Sequence, residues 1–151
     1  MKLAEALIQR VDVQKRLREM ERRLERIATA QEGDTPAEDP AELLTMINQL
    51  YSELETLICR INRSNNNITE QGESLADLLA KRDLLQKKQS TLRSIAQAGT
   101  VTQSRHSSRE VRFISTVPVA QLQRQADDCA QQFRQLDTRI QCLNWTHELI
   151  A

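Results

Sequence analysis

From the third residue, apolar side chains recur three and then four positions apart: Leu3, Ala6, Arg10, Val13, Leu17, Met20, Leu24 and Ile27. Only Arg10 interrupts this a/d stripe, and the spacing predicts a long first helix with one apolar seam. Residues 29 to 39 hold Gly33 and Pro36 among acidic and small residues, which predicts a loop. Asp39, Pro40, Ala41 and Glu42 then supply a cap, a proline at the first helical position and a carboxylate three residues past the cap. The second helix repeats the spacing through Leu43, Ile47, Leu50, Leu54, Leu57, Ile61, Ser64 and Ile68, with Leu44, Tyr51 and Ile58 widening the stripe. A seam with one such flank suits a helical bundle.

Asn65, Asn66, Asn67 and Gly72 slow or end that helix, and Ser74 to Asp77 is a capping box for a third. The third seam reads Leu75, Leu78, Arg82, Leu85, Gln89, Leu92 and Ala96, and it closes at Gly99, a common helix-ending residue. A last helix from about Val119 carries Leu122, Ala126, Cys129, Phe133, Leu136, Ile140, Leu143, His147 and Ile150. Residues 100–118 differ in kind, being rich in Ser and Thr and then alternating around Val111 and Phe113. They predict a loop and one short strand, paired with 100–105 or with the same segment of another subunit. The expected fold is therefore all-α, with long helical hairpins packed as a coiled-coil-like bundle and one short strand or hairpin insert around 100–117. A single domain, 1–151, would hold a helical hairpin at 1–68, a helix at 74–98, the insert at 100–118 and a C-terminal helix at 119–148.

Charge adds a pairing rule to this pattern. Lys plus Arg and Asp plus Glu both number 21, so no bulk field recruits nucleic acid or membrane. Locally the balance is uneven: residues 1–28 carry eight basic and five acidic residues, whereas 31–58 carry seven acidic residues and no Lys or Arg. The first two helices should attract as an antiparallel hairpin. Aromatics are 3% of the chain and glycines number three, the usage of long helices rather than sheets. Cys59, Cys129 and Cys142 are odd in number and widely spaced, which points to a reducing cytoplasm rather than to a disulfide framework or a zinc site. The opening residues form no signal peptide and no stretch approaches a membrane span, so no membrane partner is expected.

Several chemistries of helical bundles lack their residues. Neither His106 nor His147 has Glu three positions before it, as a di-iron bundle requires. His147 and Glu148 begin like a zincin helix, but Ala151 stands where the second His belongs. Three glycines provide no phosphate-cradling loop, and no cofactor is expected. Cys142 and His147 are five apart and point away from each other on a helix, while Cys129 reads as a buried structural thiol. Arg10, Arg82 and Gln89 are the polar seam residues. A seam guanidinium must be paired or reach solvent, so they form either a register-setting polar layer, with Asp12, Asp83 or Asp137 as partners, or a central anion pocket. In the insert, Arg105, His106, Arg109 and Arg112 are either solvated loop charge or contacts to phosphates of a nucleic acid.

Near the carboxyl end, the run from Leu136 to Thr146 (LDTRIQCLNWT) carries a resemblance. Together with Met1 to Leu7, Gln14 to Leu17, Ile61 to Asn65 and Ala80 to Asp83, it resembles a family of small bacterial proteins labelled septicolysin-like. The resemblance implies a helical, self-associating bacterial protein; no export signal or membrane-inserting hairpin supports a cytolysin. The expectation is a non-enzymatic, cytoplasmic homo-oligomer of an even number of subunits, acting as a scaffold or interaction protein. Two alternatives stand beside it: a nucleic-acid-binding module using 105–112, and a small-anion or enzyme site at the seam arginines.

Overall fold

The computed structural model describes residues 1–102 and 111–151. Helix α1 spans Leu3–Ile27 and α2 spans Pro40–Asn67; the strands β1 (Thr69–Glu70) and β2 (Glu73–Ser74) follow, then α3 (Leu75–Ala98) and α4 (Val119–Thr146). An all-α fold with one small β insert is what the sequence predicted, but the antiparallel hairpin lies at 69–74 rather than around 100–117. The chain packs as two compact units, Met1–Leu75 with Gln141–Ala151 and Ala76–Ile140, whose boundaries fall in α3 and α4.

In the first unit α1 and α2 form the antiparallel hairpin. Glu5 reaches back to accept from the Lys2 backbone N–H at 2.7 Å, which opens α1. Asp39 Oδ1 accepts from the Ala41 N–H at 2.9 Å with Pro40 next to it, which opens α2 as its sequence predicts. The register is pinned at two levels: Gln9 Nε2 donates to Glu53 Oε1 at 2.9 Å, and Arg23 is ion-paired with Glu38. Between the helices Leu3, Val13, Leu17 and Met20 are buried, with Leu43, Leu50, Leu57 and Ile61. Each such side chain removed from water contributes about 2 kcal/mol.

The strands appear where the sequence reading had only a helix ending. Asn65, Asn66 and Asn67 lie inside α2, and the chain then turns through a hairpin with Thr69 opposite Ser74 and Glu70 opposite Glu73. Gln71 (φ 53°) and Gly72 (φ 85°) both occupy the left-handed region. A two-residue turn with both φ positive matches the right-handed twist of a hairpin. The signal was weak because Gln replaces the usual Asn or Asp at the first of these positions. The expected strand around Val111 is not there: residues 111–116 are exposed and form no strand, and residues 103–110 lie outside the described residues. Val111, Phe113 and Ile114 have the β-branched and aromatic character of a strand, but a strand exists only where a partner pairs with it.

In the second unit Arg82 pairs with Asp137 and Arg93 with Asp127, each at 2.9 Å, so α3 and α4 run antiparallel. Leu78 and Ala96 of α3 and Ala126, Cys129, Leu136 and Ile140 of α4 are buried. Gly99 follows the end of α3, and its φ is not left-handed. Its reason for being glycine is space: a Cβ there would overlap the Val117 side chain and lie 3.0 Å from Ser115 Oγ.

Candidate interaction surface

The polar seam residues divide between the units. Arg82 and Gln89 stand seven residues apart on one face of α3, both half-buried, while Arg10 belongs to α1 in the first unit. Arg82 donates through Nη1 to Asp137 Oδ1 at 2.9 Å and through Nη2 to Asp83 Oδ1 at 3.2 Å. Two carboxylates named from the sequence thus hold one guanidinium, the arrangement of a polar layer. Arg10 is different: its Nε is buried and has no hydrogen-bond partner among the described residues. Of the insert's basic group, Arg105, His106 and Arg109 lie outside the described residues, and Arg112 is exposed. Phe113 and Ile114 beside it are 82% and 78% exposed.

A polar knot that the sequence reading did not weigh ties the chain's last residues to the first unit. The Leu3 N–H donates to the His147 carbonyl at 3.0 Å and the Leu149 N–H to the Met1 carbonyl at 2.9 Å. Lys2 Nζ donates to the Thr146 carbonyl and stands 2.7 Å from Glu148, whose other oxygen takes the amino group of Met1 at 3.0 Å. The Lys2 ammonium and then the amino group hold the Glu148 carboxyl below its ordinary value. Ser64, fully buried, donates to the Arg60 carbonyl at 3.0 Å and accepts the Ile150 N–H at 2.9 Å. Arg60 and Arg63 reach the carbonyls of Ile150 and Ala151. The signal was a serine on an otherwise apolar seam, which is costly unless both its bonding roles are filled.

Other chemistry is sparse among the described residues. No three His, Cys, Asp or Glu groups gather there as a metal site would require. Cys129 is buried, Cys59 and Cys142 are exposed, and all three are free thiols. The Nδ1 of His147 lies 3.0 Å from the Leu143 carbonyl, so it carries the proton and donates to this acceptor. Arg93, Ala96, Gln97, Thr100, Thr102 and Gln123 line an open recess of about 460 Å³. None of the described helices is long and apolar enough to cross a membrane.

The broadest feature is an apolar flank on α2. Its heptad positions behave unequally: Leu43, Leu50 and Leu57 are buried, whereas Ile47 and Leu54 are half-buried. Beyond them, Leu44 and Tyr51 remain 50% and 60% exposed, and Ile58 is half-buried. The stripe of α2 is thus wider than α1 covers. On α1 the outer side carries Ile8 and Val11, also exposed. In the second unit Leu85 and Leu92 of α3 and Leu122 and Phe133 of α4 are half-buried, and Leu84 is 64% exposed.

A family model described as a family of unknown function (DUF6847) matches residues 10–149. No curated protein matches the chain. A solved crystal structure, described as a functionally unknown conserved protein from Corynebacterium diphtheriae, is similar throughout. The two are 42% identical with a TM-score of 0.92, over 99% of this chain and 98% of that one.

Proposed function

The chain belongs to the DUF6847 family of unknown function, and we propose that it works by self-association, as a non-enzymatic helical scaffold or interaction protein. One observation carries this reading: in both units the apolar stripe is broader than the facing helix covers. Tyr51 and Leu84, 60% and 64% exposed on helices that run antiparallel to only one neighbour of their unit, leave water against the sides of both seams. Apolar patches of that extent on a small helical protein mark contact surfaces. Burying them against equivalent helices of other subunits completes coiled-coil seams with an even number of chains. Arg82, held by Asp137 and Asp83, acts in this reading as a layer that fixes register. The exposed free thiols Cys59 and Cys142 suit a reducing cytoplasm. Light scattering coupled to gel filtration tests the proposal: an oligomer mass is expected at micromolar concentration, and a monomer mass there overturns it.

A further inference from the structure

The open side of the first unit is shaped for one occupant. At 100° per residue, Leu54, Ile47, Ile58, Tyr51 and Leu44 follow one another around α2 over an arc of about 80°, starting at the edge of the buried line of Leu43, Leu50 and Leu57. On α1, Leu7, Arg18 and Val11 lie from about a quarter to about two-fifths of a turn from the buried line of Ala6, Val13 and Leu17. Both offsets run in the same rotational sense. In an antiparallel pair, that brings them to the same side of the hairpin.

We infer that this side seats a second copy of the chain, related by a two-fold axis along the hairpin, so that each α1 packs against the partner's α2 in a four-helix bundle. The inference rests on the self-association proposed above and adds where it occurs. Charge selects this arrangement. The segment around α1 carries eight basic residues against five acidic ones, and 31–58 carries seven acidic residues and no basic one. Setting α1 beside the partner's α2 makes every neighbouring pair in the bundle attractive, whereas setting α2 beside α2 would oppose two acidic helices. Area agrees. Leu44, Tyr51 and Val11 are 50%, 60% and 44% exposed. With the half-buried members of the α2 arc they form the apolar part of a face whose polar helix edges supply the rest of the ~800 Å² that a standard interface takes from each partner.

The axis also fixes the register. A rotation about the bundle axis keeps every residue at its height, so the pairing inside the chain, Gln9 with Glu53 and Arg23 with Glu38, holds between copies as well. Val11 then stands level with the partner's Tyr51, and Arg18 with the partner's Leu44.

Two experiments on the full chain test this. Tyr51→Glu and Leu44→Glu change side chains that are at least half exposed, so the helical circular dichroism should stay close to wild type. The mass from light scattering should fall by half where the wild type is associated, with the dissociation constant raised about tenfold or more. If the wild type associates and both variants keep its mass, this inference falls while self-association stands; if the wild type is a monomer, both fall. For the register, Val11→Cys and Tyr51→Cys are made separately in a Cys59→Ser, Cys142→Ser background, then mixed under mild oxidation. A covalent dimer from the mixture, and little from either variant alone, is the expected result. Efficient cross-linking of Tyr51→Cys with itself would overturn the arrangement, because it places α2 against α2.

Discussion

Replacing Ser64 by Ala removes one atom from the fully buried junction between α2 and the end of the chain. That oxygen has two roles, donating to the Arg60 carbonyl at 3.0 Å and accepting the Ile150 N–H at 2.9 Å. The donated bond is the cheaper loss, because the Arg60 carbonyl also takes part in the helix ladder of α2. The accepted bond matters more, since the Ile150 N–H loses its acceptor beside a closed seam. A buried group left unsatisfied costs about 1–3 kcal/mol, but Ile150 is 37% exposed and water can reach part of this site. The expected loss is therefore near the low end, about 1 kcal/mol, with no cavity contribution because the methyl group stays. For a chain of this length that lowers the melting temperature by about 2–4 °C. Hydrogen exchange gives a second readout: the Ile150 amide should lose protection by about fivefold, whereas the Leu149 amide, bonded to the Met1 carbonyl at 2.9 Å, should change less. An unchanged melting temperature together with unchanged Ile150 protection would refute the reasoning.

Three further predictions concern other contacts. Asp137→Ala strips Arg82 of one of its two carboxylates in a half-buried layer, with an expected cost of about 1 kcal/mol in denaturant unfolding, whereas Arg82→Met, which removes the charge itself, should stay within about 0.5 kcal/mol of wild type. Gly99→Ala pushes a methyl into the Val117 side chain where α3 and α4 are joined and should cost about 1–2 kcal/mol, measured by thermal melting. Glu148, held by Lys2 and the amino group of Met1, and Glu38, held by Arg23, both have carboxyl values lowered from the ordinary 4.5. Their stabilisation is present above that value and is lost as pH falls through the lowered folded values, so unfolding midpoints should decline below pH 4.5. Glu148→Gln and Glu38→Gln together should flatten that decline.

Periodicity carried most of the helical fold because burial here is a matter of lines along helices. The stripe from Leu3 to Ile27 and the capping sequence at Asp39 and Pro40 act locally, and α1 and α2 begin within a residue or two of where these signals place them. What sequence could not express was pairing. The alternation around Val111 and Phe113 has strand character, yet residues 111–116 form no strand, whereas Gln71 and Gly72 close a hairpin from flanks with no such character. Strands depend on a partner that local pattern does not contain. The same limit governs Ser64. On the stripe it stood without a named role, and its second hydrogen bond comes from the Ile150 N–H, 86 residues away.

The two seam arginines make the distinction sharper. Arg82 has both Asp137 and Asp83 within bonding distance, so its charge is accounted for inside its own unit. Arg10 has a buried Nε without a partner, and it lies on α1 between the seam and Leu7, toward the side on which the α2 flank is open. In the proposed dimer a helix packed over that side would close the apolar arc beside this donor. In the proposed dimer one neighbouring helix would answer both the unequal burial of Leu50 and Leu54 and the unpartnered Arg10 Nε. The stripe of α2 is wider than α1 covers, and Tyr51 and Leu44, 60% and 50% exposed, stand at its outer edge.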